Sequence, residues 1–176
     1  MTSLDKLYEI EKDFGVIGLT LTKDFSPYFC TPVNAFVFAQ LGQDGIHFCI
    51  VRSEKGIENS PVYVVSPTEP EHYIELVGRN LIDFLNLVIT CKDATALEYI
   101  SYASEDKFNK YIEEIKGQLL ENPDFNIAVE DVLCTLKTVF MLQEINNVYS
   151  HVKDTKENSI YHANLTFSKE YQDLIT

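Results

Sequence analysis

The sequence predicts an α+β fold: a mainly antiparallel sheet from the N-terminal half, with helices from the C-terminal half packed against one side. Three observations predict it. Residues 31–51 (TPVNAFVFAQLGQDGIHFCIV) alternate on either side of a Gly42-Gln43-Asp44-Gly45 connection, the pattern of a β-hairpin. From Gly78 onward the apolar period becomes helical. The two kinds of element are segregated along the chain, which separates α+β from an alternating parallel fold.

Taken in order, Ser3 is placed to cap a short first helix in which Leu4, Leu7, Tyr8 and Glu11 follow helical spacing, with Gly15 stopping it. Residues 16–22 read as a strand leading into the hairpin. There, Val33, Ala35, Val37, Ala39 and Leu41 fall on one face and Phe36 and Phe38 on the other. After the turn, Ile46, Phe48 and Ile50 alternate with His47, Cys49 and Val51. Gly45 allows the positive φ that such a turn requires. A loop over residues 53–60 is followed by a strand at 61–66, whose leading Pro61 lacks a ladder donor and so belongs at a strand start or an edge. Residues 68–71 form a turn with acidic flanks.

Asn80 reads as the N-cap, and Asp83 as a first-turn acid, of a helix over residues 81–91. That segment is apolar almost all round, as a buried helix is. A shorter helix is read over residues 94–103. Ser104 caps the next, where Phe108, Tyr111, Ile112, Ile115 and Leu119 oppose Lys110, Glu113 and Glu114, until Asn122-Pro123 ends it. A fourth follows with Val129, Val132, Leu133, Leu136, Val139 and Phe140 on one face. Beyond Gln143 the pattern is weak: residues 164–167 read as a strand and 168–175 as a terminal helical turn or two.

A chain of 176 residues is read as a single domain, residues 1–176. Its 27 acidic and 14 basic residues give a formal net charge of −13. Nucleic acid and anionic membrane both call for a positive face, so neither is expected as a partner. A cationic protein is, although acidity alone also serves solubility. No apolar run approaches the roughly 20 residues of a membrane span. The charged N-terminus lacks a signal-peptide core, which points to the cytoplasm. Cys30, Cys49, Cys91 and Cys134 are widely spaced without a Cys-x-x-Cys pair, the pattern of buried free thiols rather than a zinc or redox motif.

Residues that could carry chemistry are scattered. Gly42-Gln43-Asp44-Gly45 joins two strands, with no following Lys-Ser or Lys-Thr for a phosphate loop. His47 and Cys49 share a strand face, but their side chains stand roughly 7 Å apart as parallel neighbours. His47, His72, His151 and His162 are single and lack metal-ligand spacing. No catalytic, cofactor or metal residue is therefore nominated. What remains is acidic surface. Glu54, Glu58, Glu69, Glu71 and Glu75 flank the strand at 61–66 with only Lys55 nearby to compensate, and Asp44 occupies the hairpin turn. These six carboxylates are the candidate partner-binding residues. Glu105, Asp106, Glu113, Glu114, Glu121 and Asp124 add acid along the third helix and its exit. Gathered on one face, such charges steer a basic protein toward binding.

Residues 31–102 also carry a family resemblance. Thr31-Pro32-Val33-Asn34, Phe38-Ala39 and Asp44-Gly45-Ile46-His47-Phe48 come first in the order, then Pro61-Val62-Tyr63-Val64-Val65-Ser66-Pro67 and Val77-Gly78-Arg79-Asn80-Leu81-Ile82-Asp83-Phe84-Leu85. This order and spacing resemble bacterial proteins of the SUKH superfamily, which includes the Smi/Knr cell-wall regulators and Syd. The leucine-proline opening and the Asn-Gly pair of its better-known members are missing. The resemblance implies an α+β fold and a protein-binding role without catalytic apparatus, many members being similar to immunity proteins that neutralise toxins, often nucleases. The leading expectation is thus an immunity-type protein that binds a toxin domain of opposite charge. Two alternatives stand beside it: a regulatory adaptor for cell-wall or secretion components, and a small hydrolase using Cys49 or a carboxylate pair.

Overall fold

Five antiparallel strands run as a meander, each hydrogen-bonded to the next in sequence: β1 (Thr20–Leu21), β2 (Ala35–Gln40), β3 (His47–Val51), β4 (Val62–Val65) and β5 (Ile74–Gly78). The computed structural model describes residues 1–54 and 56–175, so Lys55 lies outside the described residues. Around the sheet stand α1 (Ser3–Tyr8), α2 (Leu81–Cys91), α3 (Thr95–Tyr99), α4 (Glu105–Glu121), α5 (Pro123–Phe140), α6 (Val148–Glu157) and α7 (Lys169–Ile175). The α+β architecture, with the sheet in the N-terminal half and most helices in the C-terminal half, is as the sequence predicts.

The helical face of the sheet holds the main core. Phe38, Phe48, Ile50, Val62, Val64 and Val77 pack beneath α2, whose Phe84 ring meets Phe48 and Phe38 at centroid distances of 4.8 and 5.5 Å. α2 is buried because leucine, valine and isoleucine occupy most of its circumference. It begins where Asn80 Oδ1 accepts the Asp83 amide at 2.9 Å, and Asp83 Oδ2 accepts the Arg79 amide in return. Pro123 opens α5 as its first helical residue, where its missing N–H costs nothing.

The opposite face is covered too, by the C-terminal tail. Cys30, Cys49, Val51, Tyr63, Val65, Leu76 and Tyr171 form a second cluster there, joined by Phe29, Leu165 and Phe167. The tail is pinned by an Ala163 amide donating to the Tyr63 hydroxyl at 2.9 Å and a Val33 amide donating to the Thr166 carbonyl at 2.8 Å. It runs extended but joins no ladder, so the strand expected at residues 164–167 is absent.

Other local readings are corrected by the structure. The first helix is capped by Thr2 rather than Ser3, through a reciprocal box with Asp5, and ends at Tyr8 long before Gly15. The strand read over residues 16–22 shrinks to β1, because Phe14–Ile17 curl into a 3-10 turn closed by Gly18 at φ 67°. β2 carries a bulge between Val37 and Ala39. The extra residue breaks the period of two: Ala35 and Val37 face the tail, but Ala39 joins Phe38 in the main core. The helix read over residues 94–103 holds only Thr95–Tyr99. Cys30, Cys49 and Cys91 are buried free thiols, whereas Cys134 is exposed on α5.

Candidate functional site

Strand order decides where the six predicted carboxylates lie. In an antiparallel meander the β2–β3 and β4–β5 turns emerge at one end of the sheet and the β3–β4 loop at the other. Asp44 sits in the first turn, and Glu69 and Glu71 in the second, so these three share one end. Glu54 and Glu58 belong to the β3–β4 loop at the opposite end. There Glu58 grips the start of α1, accepting the Ser3 amide at 2.7 Å and its hydroxyl at 2.6 Å. Glu75 lies within β5 and is held by His72 Nδ1 at 2.9 Å and Lys156 Nζ at 2.7 Å. The six therefore divide into a shared trio, a distant pair and one internally paired residue.

The trio gains a fourth member that the sequence reading did not nominate. Glu98, on α3, is 6 % exposed. Its carboxylate receives the Tyr102 hydroxyl at 3.2 Å and, at the 3.5 Å limit of a hydrogen bond, the Ser66 hydroxyl. Burial pushes its carboxyl above the usual carboxylate range; the Tyr102 and Ser66 bonds offset part of that rise, and the charges of Glu69 and Asp44 add to it. Burial first, and then Glu98, likewise raises the Tyr102 phenol. The sequence does hold a signal for this residue: Glu98 is the one charge in the otherwise uncharged run over residues 94–103, and it falls on the inward side of α3.

Charge compensation is unequal over the molecule. Lys12, Lys92, Lys110, Lys116, Lys137, Lys153 and Lys156 each pair with a carboxylate elsewhere. Among the described residues no cation pairs with Asp44, Glu69, Glu71 or Glu98. The end of the sheet where they meet therefore holds carboxylates without an ion-pair partner among the described residues. Asp44 itself adopts φ 50° between Gly42 and Gly45 and is exposed.

The thiol of Cys49 is fully buried, and burial pushes it up to about 12, so it carries no thiolate near neutral pH. His47 is committed through both ring nitrogens, Nδ1 to the Gly45 carbonyl at 2.7 Å and Nε2 to the Thr31 hydroxyl at 3.1 Å. Phe25 lies against the same ring at 4.5 Å between centroids. Burial lowers the imidazole to about 4, so it stays neutral and structural at the base of the hairpin. Among the described residues no three His, Cys, Asp or Glu side chains are grouped to hold a metal ion, and no helix is long and apolar enough to cross a membrane. No protein-family model, curated protein or solved structure matches the chain.

Proposed function

We propose that this chain is a non-catalytic, SUKH-like protein-binding domain that acts in the cytoplasm as an immunity protein. It binds a basic bacterial toxin domain, with nucleases the leading class, and covers that toxin's substrate-binding surface. The observation that carries this reading is the meeting of Asp44, Glu69 and Glu71 at one end of the sheet, beside the buried Glu98, without a compensating cation among the described residues, in a chain of net charge −13. A surface of that kind imitates the phosphate field to which a basic nuclease is complementary. The α+β architecture agrees with what the resemblance implies, and its residues 31–102 run from β2 through α3, contributing all four of these carboxylates.

The test is co-expression with the product of the neighbouring gene, followed by co-purification and growth rescue. Binding together with rescue supports the immunity reading. Binding without rescue fits the regulatory-adaptor alternative and overturns neutralisation, and loss of both overturns the reading for that pair.

A further inference from the structure

The outer edge of β2 is only half covered. β1 pairs with Ala39 and Gln40, the Thr22 amide donates to the Phe38 carbonyl at 2.9 Å, and the chain then leaves the sheet. Among the described residues no strand of the sheet lies outside Ala35, Phe36 and Val37. The ladder on the inner side shows which main-chain groups this exposes. Val51 donates its amide to Pro61, across on the β4 side, so the Ala35–Val51 pair is one that exchanges no hydrogen bonds, and alternation makes Val37–Cys49 the next of that kind. Ala35 and Val37 thus turn their main chains away from β3. The Ala35 amide is taken by the Pro32 carbonyl at 3.0 Å, which leaves the Ala35 carbonyl and both polar groups of Val37 on the open edge.

Two clefts flank this edge, one on each side. The first, about 470 Å³, is lined by Lys23, Phe25, Tyr28, Val33 and Val37. The second, about 740 Å³, is lined by Leu4, Val33, Phe36, Ile50 and Ile57. Phe36 is 41 % and Val33 63 % exposed between them. The clefts also hold charged side chains, Lys23 and Glu170 in the first and Arg52 and Glu54 in the second. Unpaired strand main chain flanked by clefts with apolar walls is what an added strand needs: its backbone continues the ladder, and its alternate side chains enter pockets on opposite faces.

We infer that β2 accepts an extended segment of a partner protein as a sixth strand, with apolar side chains alternating into the two clefts and cationic residues between or beside them. The cationic character follows from the −13 net charge, which also opposes pairing of two copies edge to edge. This contact lies at the Ala35 end of β2, away from the Asp44 turn, and the main-chain comparison below tests it at different residues from the acidic site.

The probe is a fluorescein-labelled, N-acetylated peptide with a run of four valines flanked by lysines, so that successive valines face opposite clefts, matched by a version N-methylated at every valine so that neither strand edge can pair. The two carry the same charge, but only the first can complete a ladder. The expected result is saturable binding of the unmethylated peptide, followed by fluorescence anisotropy, with slowed exchange of the Val37 amide. Binding should weaken about tenfold or more in Val37→Pro, as loss of main-chain hydrogen bonding requires, and to a similar extent on N-methylation. N-methylation tests the same bond without altering the protein, should Val37→Pro fail to fold. Equal binding of the two peptides, absence of binding, or a concentration-dependent dimer that protects Val37 without peptide would each overturn the proposal.

Discussion

Thr31 donates its hydroxyl hydrogen to His47 Nε2 at 3.1 Å, and this bond belongs to a closed chain. The Gly45 carbonyl can only accept, so the proton of the neutral ring sits on Nδ1, 2.7 Å away, and Nε2 must accept. Thr31 Oγ1 in turn accepts the Tyr28 amide at 2.9 Å. The loop before β2 is thereby fastened to the base of the β2–β3 turn, the turn that presents Asp44. Thr31→Val should remove the donor, leave a buried acceptor unpaired, and cost about 1–3 kcal/mol in urea denaturation. Thr31→Ser, which keeps the hydroxyl, should recover most of that loss.

Acid should weaken the same junction. His47 is held at about 4 in the fold against 6.5 for the free group, so the unfolded chain takes up the proton first. Its contribution is complete above about pH 6.5 and is lost as pH falls toward 4, up to about 3 kcal/mol in all. Urea midpoints measured across that window should fall more steeply in the parent protein than in His47→Gln, which has no group titrating there.

Glycine is required at one position of the turn more than at its neighbour. Gly45 has φ 70°, and a Cβ there would fall onto the Tyr28 ring, whereas Gly42, at φ 78°, has open space around it. Gly42→Ala should cost about 1 kcal/mol for the left-handed backbone alone. Gly45→Ala adds displacement of Tyr28 from its place beside His47 and should cost clearly more, read as a larger drop in thermal midpoint under the same conditions.

Much of the fold is legible in the sequence, and the failures have local causes. α2 is readable because Asn80, Asp83 and a continuous apolar run agree. α6 is not: Val148, Val152 and Thr155 are its buried residues, and the rest of its surface is polar, so no stripe stands out. β5 is hidden because both faces of the sheet are covered there: its neighbouring Leu76 and Val77 enter opposite clusters, so both are apolar and no alternation shows. The acidic site depends on that missed strand. Only once β5 is placed does the turn holding Glu69 and Glu71 fall at the same end as Asp44, and Glu54 and Glu58 at the other. Glu98 is legible as a lone charge in an apolar run, but its proximity to that end comes from the packing of α3.

Glu98 should destabilise the fold near neutral pH. Its raised carboxyl favours the protonated form in the native state, so stability is present below the ordinary carboxylate range and is lost as pH rises through the native value. Glu98→Gln removes that charge while preserving shape. Its urea midpoint should exceed that of the parent at neutral pH, and the gap should close in acid. Equal midpoints throughout would show that the buried carboxylate carries no strain.

The central claim is that the end of the sheet carrying Asp44, Glu69 and Glu71 contacts the basic partner. The most direct measurement is calorimetric affinity for the co-purifying partner of Asp44→Lys/Glu69→Lys/Glu71→Lys beside Glu54→Lys/Glu58→Lys, at low and high salt. The account predicts a loss of about a hundredfold or more for the first set, little change for the second, and parent affinity that falls as salt rises. Equal losses from both sets, or affinity indifferent to salt and to the first set, would contradict it.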